Sequence, residues 1–280
     1  MQTSNRRIDH LVLPVRDLEA AADFYRRLGF QVGRRNRHPW GTENRLIQFR
    51  SSFLELITVG EHMAAIPPHE PGHFSFGAFI RDYLEQGEGC AMFVLDSSDA
   101  KADAVTFSRL GIGPFEPFYF ERKAKRPDGS ETRVAFTLAF TTDPKLPGAG
   151  FFVCQQHQPE NFWNADFQIH PNGASDLTTV ILSVPDPAEH MEFLSGFTGV
   201  PGTGEDRGGI EFPLRHGGRL QVARGKGTVG FSAFSVAVKD LSAVSQQLTQ
   251  TGIQFERAAS HVTVAAQHAF GVSVGFVSRT

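Results

Sequence analysis

From Ile8 to Val15 the chain is an apolar, strand-like run, and Asp17 follows where a helix N-cap is wanted. Leu18, Ala21, Ala22, Tyr25 and Leu28 then recur at steps of three and four, the stripe of an amphipathic helix. Gly29 sits at a left-handed C-cap position, and Phe30 resumes extended chain. Three further extended segments, near 30–35, 45–50 and 53–59, complete a βαβββ unit. The same order returns three times. Met92–Leu95, the helical stretch Asp99–Leu110 and Gly111 repeat strand, helix and stop without a gap at an offset of 82. Extended segments near 115–123, 131–141 and 150–156 complete that copy. A third copy opens at Leu177–Val184, where Leu182, Val184 and Asp186 match Leu13, Val15 and Asp17. In the fourth, opening at Phe231–Val238, Val238-Lys239-Asp240-Leu241 matches Val15-Arg16-Asp17-Leu18, and Gly252 falls where Gly29 falls. Repeats this long argue for duplicated supersecondary units that bury their faces against one another.

The pattern predicts an α+β protein of four βαβββ modules, at about 6–60, 88–157, 177–224 and 229–280. Two domains are expected, 1–160 and 177–280, joined by a linker over 161–176 whose Phe162, Trp163 and Phe167 suggest that the connection packs down. Sequence proximity favours pairing first with second and third with fourth; first with fourth would change what faces the first module. The connection 60–75, with Pro67, Pro68, Pro71 and three histidines, has a length that often borders a functional site.

Composition narrows the function classes. The 280 residues carry 27 Lys+Arg against 30 Asp+Glu, a net charge of −3, which gives no footprint for nucleic acid and no attraction to anionic membranes. No apolar run is long enough to span a bilayer, and the polar, basic Met1–His10 lacks the core of a signal peptide. Two distant cysteines, Cys90 and Cys154, fit a reducing compartment, so a cytoplasmic protein is expected. A small-molecule ligand is the expected partner, and a homodimer is compatible with the sequence. Phe is unusually common, 26 against 3 Tyr, so the aromatic surface is mostly free of hydroxyls.

Alternation on the first strand sets Leu11, Leu13 and Val15 on one side and Ile8, His10, Val12 and Pro14 on the other. In the last strand of the module Phe53, Glu55, Ile57 and Val59 share a side. An imidazole and a carboxylate are thus inserted into an otherwise apolar face. Glu55 needs a cation, a hydrogen-bond network or water, because an unpaired buried carboxylate costs several kcal/mol. Arg45 on the neighbouring strand is one candidate partner. Read alone, His10 is a core or cavity-lining histidine.

Ile8-Asp9-His10-Leu11-Val12-Leu13, then Val15-Arg16-Asp17-Leu18, Phe24-Tyr25 and Leu28-Gly29-Phe30, resemble the vicinal oxygen chelate superfamily of glyoxalases, bleomycin-resistance proteins and extradiol dioxygenases. Gly41-Thr42-Glu43-Asn44-Arg45-Leu46 and Phe53-Leu54-Glu55-Leu56-Ile57 are similar to its glyoxalase-like branch. The resemblance implies paired modules rolling their sheets around a cup. In metal-using members a His on a module's first strand and a Glu on its last bind a divalent ion. His10 and Glu55 occupy those positions here, and such a pair suits Zn, Fe, Ni or Mn. The other modules offer Met92 (or Cys90), Thr179 and Ala233 at the first position. At the last they offer Cys154 or a neighbour, Gln221 and an apolar stretch around Gly275. Glu43, His38 and His157 are candidates for a third ligand, and Glu43 reads equally as a loop residue fixing its turn.

Two hypotheses follow. One is a metal-dependent lyase, isomerase or dioxygenase for a small oxygenated compound, with His10 and Glu55 holding the ion and a carboxylate, Glu55 or Glu43, moving the proton. The other is a metal-free module that sequesters a small aromatic molecule, as bleomycin-resistance relatives do. Separately, the later pair of modules can be a structural or dimerising half, since Thr179, Gln221 and Ala233 lack chemistry. Arg122-Lys123-Ala124-Lys125-Arg126, ahead of Pro127-Asp128-Gly129, reads as a solvated hairpin tip or, alternatively, a clamp over an anion. Phe118 and Phe120 read as core or as an aromatic pocket wall, and Cys154 as a buried thiol.

Overall fold

The computed structural model describes residues 5–61, 66–125, 130–205, 208–225, 227 and 229–278, with the side chains of 124 and 125 excepted. The hairpin tip Arg126-Pro127-Asp128-Gly129 lies outside the described residues, as does His62.

Strand β1 (Ile8–Pro14) leads into helix α1 (Leu18–Arg27). The Asp17 carboxylate caps the helix, accepting from the N–H groups of Glu19 and Ala20 at 3.0 Å each. Gly29 takes φ 88°, and a Cβ there would stand 2.8 Å from Asn172 Cβ, so glycine is required where the linker presses on this turn. Strands β2 (Asn36–Arg37), β3 (Thr42–Gln48) and β4 (Phe53–Val59) complete the module. The strand expected near 30–35 does not form. Phe30 turns instead into the core against Phe49 and Phe276, and the ladder begins at Asn36.

Helix α2 (Phe76–Gln86), capped by Ser75, follows the proline-rich connection and has no counterpart in the repeat. The second module comprises β5 (Met92–Asp96), α3 (Ala100–Arg109), β6 (Phe118–Lys125), β7 (Glu131–Thr141) and β8 (Gly150–Gln156). A short helix α4 (Pro159–Phe162) opens the linker. The third module runs β9 (Asp176–Val184), α5 (Met191–Thr198), β10 (Thr203–Gly204), β11 (Ile210–Pro213) and β12 (Arg219–Arg224). The fourth runs β13 (Gly230–Val238), α6 (Leu241–Gln250), β14 (Glu256–Arg257), β15 (His261–Val264) and β16 (Ser273–Ser278).

These strands build two eight-stranded mixed sheets, β2-β3-β4-β1-β5-β8-β7-β6 and β10-β11-β12-β9-β13-β16-β15-β14. First therefore pairs with second and third with fourth, joined by antiparallel contacts of β1 with β5 and of β9 with β13. Within each module the first and last strands run parallel, as a crossover helix requires.

One face of each sheet contributes to a shared core. Leu11, Leu13, Leu54 and Leu56 join residues of α1, α3, α5 and α6 and of the second sheet in one cluster. Phe151 packs at 5.0 Å on Phe193 and 5.4 Å on both Phe197 and Phe231. Each such fully buried side chain contributes about 2–3 kcal/mol. Polar ties cross the same junction: His190 and Asp143 meet at 2.7 Å, and His170 is within 2.8 Å of Gln48 O. The linker is thus packed against the body of the protein.

The opposite faces differ. In the first sheet that face carries Val12, Phe53, Ile57, Phe136 and Phe152 in a second cluster with Trp40, Phe162 and Phe76 of α2. In the second sheet it carries Ile181, Ser183, Gln221 and Ala223, all partly exposed. Among the described residues, only the first sheet's outer face is covered. Among the described residues no helix is long and apolar enough to cross a membrane.

Candidate functional site

His10 enters the covered face from β1. A register shift between Ile8 and His10 interrupts the alternation, so Ile8 joins the shared core with Leu11 and Leu13, not the face of His10. The shift lets the side chains of sequence neighbours meet: His10 Nδ1 lies 2.8 Å from Asp9 Oδ1. Gln156 Nε2 donates to Asp9 Oδ2 at 3.0 Å, and Arg7 stands 3.6 Å from that oxygen. A fully buried carboxylate at this distance makes Nδ1 the N–H nitrogen of His10 and turns Nε2 toward Glu55. Phe53 stacks on the imidazole at 4.2 Å, with Phe152 edge-on at 5.4 Å, which fixes the ring.

Glu55 arrives from β4, on the side shared with Phe53. Its Oε2 lies 3.9 Å from His10 Nε2, too far for a hydrogen bond. Its Oε1 accepts from Asn44 Nδ2 at 2.5 Å. The same amide nitrogen is 3.3 Å from His38 Nε2, and Asn36 donates to Asn44 Oδ1 at 3.0 Å. His38 Nδ1 is 2.8 Å from Thr42 Oγ1, so the consistent assignment has Nδ1 donating to Thr42 and Nε2 accepting from Asn44. Burial, with a contribution from Arg122, pulls the His38 pKa down to about 3, and the ring is neutral at ordinary pH. Burial pushes Glu55 upward, partly offset by His10, Asn44 and Arg122. Its carboxyl therefore holds a proton to higher pH than usual.

These groups line a pocket walled by Trp40, Phe76, Phe120, Phe136 and Phe162, whose empty space, counted with the solvent at its mouth, is about 510 Å³. Trp40 stacks on His38 at 4.6 Å and meets Phe120 at 4.9 Å. Cys154 also lines it, although the register sets Phe152, opposite Val94, where Glu55 stands opposite Val12 in the first module; burial first, then Asp9, holds the Cys154 thiol well above the ordinary range. Arg122 reaches in from β6.

The structure brings together His10, Glu55 and His38, and separates the others. Glu43 points away from Asn44, buried beneath Arg35 and Arg37, with Arg37 Nε at 3.0 Å from Oε1. His157 bonds Thr137 Oγ1 at 2.7 Å and stands off the cavity wall. Arg45 serves Glu19, at 2.8 Å, not Glu55. In the second sheet Thr179 accepts from Arg219 and Gln221 donates to Glu205 and Glu211, leaving an open polar surface.

A family model described as a glyoxalase-like domain matches residues 8–198, which takes in the whole cavity. The chain belongs to the glyoxalase-like family. It is thereby a member of the vicinal oxygen chelate superfamily. A structure of a hypothetical protein from Staphylococcus aureus aligns with a TM-score of 0.70 at 13% identity, covering 98% of this chain and 99% of that one. Catechol 2,3-dioxygenase aligns at 0.59 with 11% identity over 100% and 94% of the two chains. The Mn(II)-bound glyoxalase from Novosphingobium aromaticivorans aligns at 0.60 with 10% identity over 99% and 83%. At these identities the likeness is one of fold. A search of curated proteins gives no match.

In this glyoxalase-like chain the donor set is short for a resident metal. Among the described residues no three His, Cys, Asp or Glu side chains gather as ligands. His38 commits its lone pair to Asn44, and Glu43 is occupied by its arginines. His10 Nε2 and Glu55 Oε2 remain the two open groups. Sequence reasoning missed Asp9, hidden by the alternation rule, and Trp40. It weighed Arg122 mainly as part of a surface hairpin, though Phe118, Phe120 and Arg122 at steps of two were a signal that they share a face.

Proposed function

We propose that the first sheet's cup is the active site of an enzyme that moves a proton on a small, largely apolar or aromatic compound bearing neighbouring oxygens, a lyase or isomerase chemistry. The observation that supports this is the open His10–Glu55 pair, 3.9 Å apart in an aromatic cavity. His10, with Nδ1–H held by Asp9, accepts a proton at Nε2 from the carbon beside a substrate carbonyl; the Asp9 carboxylate stabilises the imidazolium. Glu55, whose proton burial holds to higher pH than usual, gives it to the carbonyl oxygen. Enol forms, no charge accumulates on the substrate, and return of a proton to carbon completes the cycle.

A second reading has a divalent ion, Zn, Fe, Ni or Mn, between His10 and Glu55. Their placement on the first and last strands of the module, one nitrogen and one oxygen across open space, favours it. His10 Nε2 and Glu55 Oε2 would be its two protein donors, and the ion would supply polarisation of the oxygens of a chelating ligand. A sequestering module of the bleomycin-resistance kind would bind the same ligands unchanged.

The test is deuterium exchange of acetophenone and phenylpyruvate in D₂O, followed by proton NMR. Exchange above the buffer rate that survives EDTA and disappears in His10→Ala and Glu55→Gln supports the acid–base reading. Exchange that needs added Mn(II) supports the second, and binding without exchange supports sequestration.

A further inference from the structure

Strand β6 alternates cleanly. Tyr119, Glu121 and Lys123 are exposed, while Phe118, Phe120 and Arg122 are partly buried on the inner side. The outer charges are matched: Arg133 meets Glu121 at 3.1 Å and Lys123 meets Glu131 at 3.4 Å. Arg122 is treated differently. Its guanidinium lines the cavity and donates no hydrogen bond to any described residue. It feels Glu55 electrostatically without forming an ion pair with it, and it faces the neutral His38. A guanidinium carries five N–H donors in a fork shaped for a carboxylate, and one partly desolvated without an acceptor is costly. The rings beside it, Trp40, Phe120 and Phe136, offer apolar faces and no competing anion.

We propose that Arg122 anchors the carboxylate of a one-ring aromatic acid, with the ring lying among Trp40, Phe120 and Phe136 and the reacting oxygens directed to His10 and Glu55. This rests on the cup being the binding site described above, and it narrows the substrate to an anion. Arg122 is then the residue that sets specificity: it discriminates an acid from its neutral isostere. Lysine at the same position keeps the charge but loses the two-pronged geometry.

Calorimetric titration with phenylacetate and phenylacetamide tests this directly. The two differ in charge and hardly in shape. Wild-type protein is expected to bind the acid at least about tenfold more tightly than the amide, the scale of a charge-assisted hydrogen bond. Arg122→Gln should erase that preference while leaving amide binding within about twofold, and amide binding itself shows that the variant is folded. Arg122→Lys should fall between. Equal binding of acid and amide by wild type, or a preference that survives Arg122→Gln, overturns the assignment and leaves the cup reading standing. Failure of both compounds to bind wild type at millimolar concentration also overturns it; the exchange assay above then judges the acid–base reading independently.

Discussion

Asp9 and His10 are consecutive in the chain, yet their side chains are hydrogen-bonded, Oδ1 to Nδ1 at 2.8 Å. In a regular strand they would point to opposite faces. The register shift between Ile8 and His10 brings them together, and a buried carboxylate beside an imidazole is a device for fixing its tautomer. Asp9→Asn is therefore expected to lower the exchange rate by about 100-fold with little change in the KM of the substrate. Unfolding in urea should show a loss of about 1–3 kcal/mol, because Arg7 keeps Asp96 but loses the second of its two counter-charges. An unchanged rate in a folded variant would remove Asp9 from the site.

Glu55 makes a cost in stability visible. Burial raises its pKa, so the fold favours the protonated form. Wild type therefore loses stability as pH rises from the ordinary carboxylate range through the elevated folded value. A glutamine does not titrate, and its side-chain oxygen still accepts from Asn44. Glu55→Gln is expected to be more stable than wild type at pH 8 by about 1–3 kcal/mol, or several degrees in Tm. The difference should shrink in acid. A gain that persists undiminished at low pH would contradict the assignment.

His38 works in the other direction. Its folded pKa of about 3 lies below the ordinary value, so its contribution is full above about pH 6.5 and falls as pH drops toward the folded value. Between pH 7 and 4.5 wild type should lose about 3 kcal/mol more than His38→Gln in urea unfolding. Parallel curves for the two proteins would show that the ring is solvated.

The shared core predicts coupling of the two sheets. His190 and Asp143 form a buried bridge between them at 2.7 Å. His190→Ala leaves the Asp143 carboxylate buried without its partner and should cost about 3–5 kcal/mol. Scanning calorimetry should give one transition, moved down as a whole. Two separated transitions would mean that the sheets unfold independently.

Much of this architecture was legible. Asp17, Asp99 and Asp240 each precede a helix that they cap, and the alternation of Phe53, Glu55 and Ile57 sets the carboxylate on the cup face. What hid from the sequence were departures from periodicity. The bulge at the start of β1 moves Ile8 to the other core and turns Asp9 toward His10. The stretch after Phe30 stays irregular because that ring is wanted in the junction with Phe276. His38 was a candidate for its chemistry, but its engagement by Asn44 is a matter of tertiary contact. Arg122 was obscured by the basic run around it, although its inner-face position follows from its spacing to Phe120.

The most direct measurement is NMR of the histidine ring nitrogens in ¹⁵N-labelled protein, titrated with phenylpyruvate, whose keto oxygen is separate from its carboxylate. His10, identified by its absence in His10→Ala, should carry a proton on Nδ1, held by Asp9, and shift at Nε2 as the ligand saturates. In Glu55→Gln that shift should weaken, while His170, bonded to Gln48 in the linker, stays fixed in both proteins. Ring nitrogens of His10 that do not move at saturation would contradict the claim that it and Glu55 grip one ligand.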